Sequence, residues 1–153
     1  MKKLKNNINA LAIGLAGLLG SLSVVAQDLS PDRVPSVVVN EFQKQFPKAT
    51  DVDWEMDEGA YQVEFEIDRL DHEVWFDQAG RILRHKEEIS TRSVPEAVKS
   101  AIRDRYRGYR IVEADKLTRG DNSVYKLEIK RLWKDMDVVV DEKGNEVRGF
   151  IWN

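Results

Sequence analysis

The sequence contains no cysteine and only two histidines, so most side chains used in thiol and metal chemistry are missing. Without cysteine there is no thiol nucleophile, no thiolate ligand for a metal and no disulfide bond. A lipoprotein anchor attached through a cysteine is excluded for the same reason. The folded chain must therefore be held together by its hydrophobic core alone.

Long hydrophobic runs are also scarce. The apolar stretch at residues 8–22 is interrupted by glycine and falls short of the ~20 residues that a membrane span needs. It follows three lysines and precedes the small residues that end at Ala26, a pattern typical of a secretory signal peptide. The alternative is a retained membrane anchor. We favour cleavage after Ala26, which predicts an exported protein of a Gram-negative-type envelope, periplasmic and without a stable membrane span.

Positive charge is in short supply in the first half of the chain. Residues 33–92 contain 8 Lys and Arg against 14 Asp and Glu, whereas residues 93–153 contain 13 against 11. Removal of residues 1–26 takes away three lysines, and the formal net charge then changes from −3 to −6. A chain of this charge is an unsuitable partner for nucleic acid.

Two parts of the sequence repeat the same pattern. Val34-Pro35 opens a series of apolar residues at every fourth position, and Val94-Pro95 opens a matching series sixty positions later. The two series are Val34, Val38, Phe42, Phe46 and Val94, Val98, Ile102, Tyr106. Residues 61–67 are likewise matched by residues 125–130, now 64 positions apart. The offset indicates two copies of one structural unit, with a four-residue insertion in the second copy.

Each copy predicts a helix followed by four antiparallel strands. Spacing of four residues is typical of the buried stripe of a helix, and the alternation that follows is typical of half-buried strands. The predicted strands are residues 52–56, 61–67, 72–76 and 82–89, then 111–117, 124–131, 136–140 and 146–152. The predicted fold class is therefore α+β: two tandem helix-plus-four-stranded antiparallel sheet repeats, with helices on one sheet face and the other face open. The domain boundaries are a signal peptide at 1–26, a first repeat at 27–92 and a second at 93–153. The pattern does not decide whether the two sheets join.

Several short motifs resemble those of a known family. They are Phe46-Pro47, Val52-Asp53-Trp54, Tyr61-Gln62-Val63-Glu64-Phe65 and Asp77-x-x-Gly80. They resemble the PepSY-like family of exported bacterial proteins, which is described as similar in fold to β-lactamase-inhibitor proteins. The second copy departs from the pattern, with Arg107 in place of the proline and Ala114 in place of the tryptophan. The resemblance covers nearly all of residues 27–153 and implies a non-enzymatic binding or inhibitory module, with no active-site residues to carry over.

The two histidines are the natural place to look for a metal site. His72 and His85 could lie side by side if Asp77–Gly80 forms a tight turn, with Asp71 as a third ligand. Such a group arises easily by chance in strands, so the pattern favours neutral strand histidines. No catalytic residue, metal site or cofactor is predicted. An enzyme would have to be a hydrolase that uses paired carboxylates, and no pair is marked.

The open face of the first copy is the first candidate binding surface. If four residues connect the second and third strands, Glu64 faces Trp75 and Glu66 faces Glu73. Arg84, on the next strand, would then separate the two like charges. Trp75 would be either an exposed interface anchor in an acidic surround or covered by the other copy or the C-terminal residues 150–152. The same register in the second copy pairs opposite charges at Lys130 and Asp137 and places Glu128 against Val139.

The tip of a hairpin in the second copy is the other candidate. Leu132 and Trp133 occupy a position where glycine or asparagine is usual. A tryptophan there either folds back on the sheet or inserts into a partner, and we favour the partner.

The leading hypothesis is therefore an exported protein-binding or enzyme-inhibitory module that contacts an unidentified protein partner. The predicted contact residues are Trp75, Glu64, Glu66, Glu73, Arg84, Leu132 and Trp133. The alternative is a small-ligand or metal-ion binding protein of the envelope that uses the acidic first copy.

Overall fold

The computed structural model describes residues 27–149 and shows two helices on one face of a single antiparallel sheet. The expected signal peptide and the C-terminal residues 150–152 lie outside the described residues. The elements are β1 (Gln27–Asp28), α1 (Ser36–Gln45), β2 (Thr50–Asp57), β3 (Ala60–Ile67), β4 (Leu70–Phe76), β5 (Ile82–Glu88), α2 (Glu96–Arg105), β6 (Arg110–Arg119), β7 (Asn122–Arg131) and β8 (Lys134–Asp141). Within these residues, no helix is long and apolar enough to cross a membrane.

The strands follow one another across the sheet in sequence order, β1 to β8, and each pair of neighbours is antiparallel. Seven strands have seven to ten residues, and β1 adds two residues at one edge. Strands β5 and β6 pair directly, for example at Lys86 and Leu117, so the two halves share one sheet. This pairing answers the question that the sequence left open.

Both predicted helices are confirmed, and each buries the predicted stripe. Pro35 and Pro95 precede them with φ of −55° and −56°, a conformation that suits a helix start. One apolar cluster lies between α1 and strands β2–β4, and a second lies between α2 and strands β6–β8. Val38, Val98, Val63 and Leu127 are fully buried in these clusters. Each half of the sheet therefore has its own helix and its own core.

The four-stranded layout of the second copy is not confirmed. The predicted strand at 146–152 is represented among the described residues by a single bridge between Glu146 and Val140. The Glu146 side chain accepts a hydrogen bond from the Tyr106 hydroxyl at the end of α2. Within residues 27–149, strand β8 therefore has no neighbouring strand on this side along most of its length.

The predicted register of two hairpins is wrong by two residues. The turns contain two residues, Asp68-Arg69 and Leu132-Trp133, and not the four residues assumed from the sequence. The observed pairs are Glu64 with Glu73, Glu66 with Asp71, Glu128 with Asp137, and Lys130 with Asp135. A shift of two preserves the face on which every side chain lies, so the predicted inner and outer sets remain correct.

Candidate functional site

Trp75 lies on the open face as expected, and at 5% exposure it is covered, which is one of the two alternatives that the sequence left open. The Arg84 guanidinium lies 3.8 Å from the centre of the indole ring and covers it. The indole Nε1 donates a hydrogen bond to Asp57 Oδ2 at 2.9 Å, and Arg84 Nη2 donates to the same oxygen at 2.9 Å. Such a cation–π contact, joined to a charged hydrogen bond, stabilises the sheet. Both residues that make these contacts, Arg84 and Asp57, belong to the first half of the chain.

The prediction that Arg84 separates the like charges of Glu66 and Glu73 is therefore wrong. Glu73 is neutralised by Lys86, which donates a hydrogen bond to it from the neighbouring strand. Glu64 faces Glu73 directly. Burial and then the charge of Glu73 raise the pKa of the Glu64 carboxyl above its ordinary value. The three predicted acidic contact residues Glu64, Glu66 and Glu73 do share the open face.

A depression on the open face lies where the two halves meet. We call it the junction depression; its volume is about 370 Å³ and its lining is almost entirely charged. The lining residues are Asp71, Glu73, Lys86, Glu88, Glu113, Asp115 and Lys126. Burial raises the pKa of the Asp115 carboxyl, while the ammonium groups of Lys86 and Lys126 oppose the rise. Five carboxylates against two lysines make this surface suited to a basic group.

Of the residues that line the junction depression, only Glu73 is among the contact residues predicted from the sequence. The walls of the depression come from four strands, β4 to β7, and its formation depends on the pairing of β5 with β6. Twenty-one residues, 89–109, separate these two strands along the chain, so no hairpin signal fixes their register. The only sequence signal for this depression was the occurrence of acidic residues at alternate positions along each strand.

The β7–β8 hairpin tip carries two exposed apolar side chains. Leu132 is 75% exposed and Trp133 is 81% exposed, so neither side chain folds back on the sheet, and their contact with a partner stays a prediction. Leu132 also has φ of 54°, a left-handed conformation that is unfavourable for leucine. Tyr109, Arg131 and Lys134 line a shallow pocket beside them, with a volume of about 300 Å³.

The equivalent tip of the first half is polar. Asp68 and Arg69 have φ of 54° and 66°, as in the type I′ turn of a two-residue hairpin. Because successive strands alternate in direction, this tip and the Leu132–Trp133 tip lie at the same end of the sheet. The lining residues of the junction depression begin two positions after the polar tip, at Asp71.

The two histidines come together on the helix face of the sheet, across from the junction depression. His72 Nδ1 and His85 Nε2 are 3.1 Å apart, and Glu87 lies directly opposite His72 on β5. Burial lowers the pKa of His85 to about 4; Glu87 opposes this change, whereas His72 and Lys116 add to it. Burial also lowers the pKa of His72, with Glu87 and Asp71 opposing. Both imidazoles are therefore neutral at pH 7.

Comparisons with known proteins agree with this architecture. A family model described as "Putative beta-lactamase-inhibitor-like, PepSY-like" matches the sequence twice, at residues 22–84 and 59–147. Comparison with curated proteins gives no match.

Solved structures from Bacteroides share the fold. A DUF2874 family protein from Bacteroides uniformis is 24% identical, with a TM-score of 0.60 over 74% of this chain and 86% of that one. A "putative periplasmic" protein from Bacteroides eggerthii is 18% identical, with a TM-score of 0.62 over 75% and 86%. A BLIP-like protein from Bacteroides fragilis is 21% identical, with a TM-score of 0.59 over 74% and 82%. At these identities the likeness shows the fold alone.

Proposed function

Because this chain belongs to the PepSY-like family, whose description is beta-lactamase-inhibitor-like, we propose that it is an exported, non-enzymatic module that binds another protein. In this proposal residues 1–26 are the export signal, residues 27–92 and 93–153 are the two repeats, and the periplasm is the site of action. The likeness in fold to a periplasmic and a BLIP-like protein supports the proposal.

The observation that carries the proposal is the Leu132–Trp133 tip. Two large apolar side chains, 75% and 81% exposed, occupy a two-residue turn in which Leu132 adopts a left-handed φ. Neither exposure nor this conformation favours folding, because glycine or asparagine would form the turn at lower cost. Tryptophan is enriched among the residues that carry most of the binding energy of protein interfaces, and Leu132 adds apolar area beside it.

The charge of the open face defines the chemistry of the partner. The junction depression holds five carboxylates and two lysines, and it opens at the same end of the sheet as the tip. A partner that places an apolar pocket over Trp133 and a basic surface along Glu64, Glu66 and Glu73 fits both features. The acidic residues of the open face would accelerate association with this partner and make the association rate sensitive to salt. Trp75 and Arg84 contribute by holding this face in shape and not by direct contact.

Affinity capture with a matched pair of tip variants tests the proposal. The bait is residues 27–153, and the envelope fraction of the source bacterium supplies the partner. One variant, Leu132→Asn/Trp133→Gly, converts the apolar tip into the usual Asn-Gly turn. The control, Asp68→Asn/Arg69→Gly, makes the same turn at the polar tip. We expect a partner retained by the parent and the control and lost by the first variant. Equal retention by all three would contradict the proposed contact.

Enzyme inhibition is the form of binding that the family description suggests. Addition of residues 27–153 to a β-lactamase assay measures it directly. Inhibition that the Leu132→Asn/Trp133→Gly variant loses would assign the inhibitory role to the tip. Absence of inhibition by the parent would restrict the proposal to binding without inhibition of that enzyme.

A second candidate function, binding of a small cationic ligand, is favoured by the junction depression alone. Its volume of about 370 Å³ is within the range of small-molecule sites, although every lining residue is charged. Titration with polyamines, followed by Trp fluorescence, tests it: Glu113→Gln and Asp115→Asn should weaken any binding. No response of the parent would remove this candidate.

A further inference from the structure

The only two histidines of the chain lie against each other beside a carboxylate, at the junction of the two halves on the helix face. Strand pairing causes this arrangement: His85 is opposite Val74, and Glu87 is opposite His72. The oxygen and nitrogen atoms that these three side chains offer all lie within 4.8 Å of one another. The sequence analysis considered Asp71 as the third residue, but Asp71 lines the junction depression on the opposite face.

We propose that His72 Nδ1, His85 Nε2 and a Glu87 carboxylate oxygen bind a divalent transition-metal ion of the zinc class, with the fourth position open to water or another ligand. Two nitrogens that bind one tetrahedral zinc at about 2.0–2.1 Å lie about 3.3 Å apart. The His72 and His85 nitrogens are 3.1 Å apart and hydrogen-bonded to each other, so a bound ion would replace this bond and widen the spacing by a few tenths of an ångström. Two histidines, one carboxylate and one open position form a known zinc ligand set.

The surroundings hold both rings in place. The Phe65 ring stacks on His72 with centroids 5.1 Å apart and an interplanar angle of 7°. Phe46, at the end of α1, contacts His85 edge-on with centroids 5.4 Å apart. Because the rings are fixed by packing, little side-chain entropy remains to be lost when an ion binds.

Lys116 opposes the ion, because its ammonium pairs with the Glu87 carboxylate. Its Nζ lies 3.4 Å from Glu87 Oε1, so a bound cation must displace this ammonium from the carboxylate. Imidazole ligands favour zinc, nickel and copper, whereas calcium and magnesium prefer sites made of oxygen alone. The proposed site should therefore not bind calcium. It lies on the sheet face opposite the acidic surface and does not depend on the proposed protein partner.

Isothermal titration calorimetry with zinc chloride tests the site. Metal-free, tag-free residues 27–153 are titrated at pH 7.5, and we expect one equivalent of zinc to bind and no heat from calcium. His85→Gln and Glu87→Gln should each weaken zinc binding at least about 100-fold, since each removes a ligand. Lys116→Gln should strengthen it several-fold, because the competing ammonium is gone. Glu142→Gln, which alters an exposed glutamate just after β8, is the matched control and should leave zinc binding unchanged.

A second measurement needs no variant. Zinc should shift the nitrogen resonances of His72 Nδ1 and His85 Nε2 in long-range ¹H–¹⁵N spectra of the parent. Absence of one-equivalent binding, or binding without movement of these resonances, would overturn the proposal. Retention of full affinity by a folded His85→Gln protein would overturn it equally.

Discussion

Substitution of Leu132 by glycine should make the protein more stable, although it removes a large apolar side chain. Leu132 has φ of 54° at the first position of a two-residue turn, where glycine is the preferred residue. A left-handed conformation costs a non-glycine residue about 1–2 kcal/mol. Because the side chain is 75% exposed, its removal sacrifices little buried area.

The expected gain is smaller than the strain that is relieved. Glycine adds about 0.5–1 kcal/mol of backbone entropy to the unfolded chain, so the net increase in the free energy of unfolding is about 0.5–1 kcal/mol. For a domain of this size, that corresponds to a rise in Tm of about 2–4 °C. Urea denaturation and thermal unfolding, both followed by circular dichroism, measure the change.

Leu83→Gly is the matched control for this prediction. Leu83 is 48% exposed and lies within strand β5, where φ is negative, so glycine relieves no strain there. We expect this variant to lose about 1 kcal/mol of stability. If Leu132→Gly destabilised the protein as much as Leu83→Gly does, the strain attributed to the tip would be wrong.

Three further predictions concern stability. Gly144→Ala should lower the free energy of unfolding by about 2–4 kcal/mol, since Gly144 has φ of 81° and an added Cβ would lie 2.5 Å from a helix side chain. Gly59→Ala, with φ of 85° and open space around it, should lower it by about 1–2 kcal/mol, and urea denaturation measures both changes. Trp75→Phe should cost about 2 kcal/mol in the same assay, because Asp57 loses the indole hydrogen bond; no loss would show that the covered ring contributes only its area. In metal-free protein, the free energy of unfolding should fall as pH drops from 6.5 to about 4, because the unfolded state binds the proton that folded His85 excludes. His85→Gln should remove roughly 1–3 kcal/mol of this fall, and an unchanged pH profile would contradict the lowered pKa.

Local features of the fold followed from the sequence. The stripe of Val38 and Phe42 and its counterpart in α2 predicted both helices and their buried faces, because helical periodicity reports burial directly. Strand alternation likewise assigned Glu64 and Trp75 to the outer face, and a two-residue register shift left that assignment intact.

Turn length and long-range pairing did not follow. Asp68-Arg69 lacks the glycine that usually marks a two-residue turn, so a longer turn was assumed and the cross-strand pairs were misplaced. The burial of Trp75 depends on Arg84 and on Asp57, which comes from a strand two positions away in the sheet. Alternation within one strand predicts the face of a side chain, but it does not predict what covers that face.

The candidate metal site shows the same limit. The sequence placed His72 near His85, because a tight turn between β4 and β5 requires it. The third residue considered was Asp71, one residue from His72, although alternation places neighbours on opposite faces. Glu87, directly opposite His72 on the next strand, occupies that place.

Site-specific photo-crosslinking tests the central claim, that the Leu132–Trp133 tip contacts a protein partner, most directly. A photoreactive phenylalanine analogue replaces Trp133 in one variant and Val37, which is 48% exposed on α1, in the other. After illumination of envelope fractions, a defined adduct from position 133 and none from position 37 is the predicted result. No adduct from position 133, or equal adducts from both positions, would contradict the account.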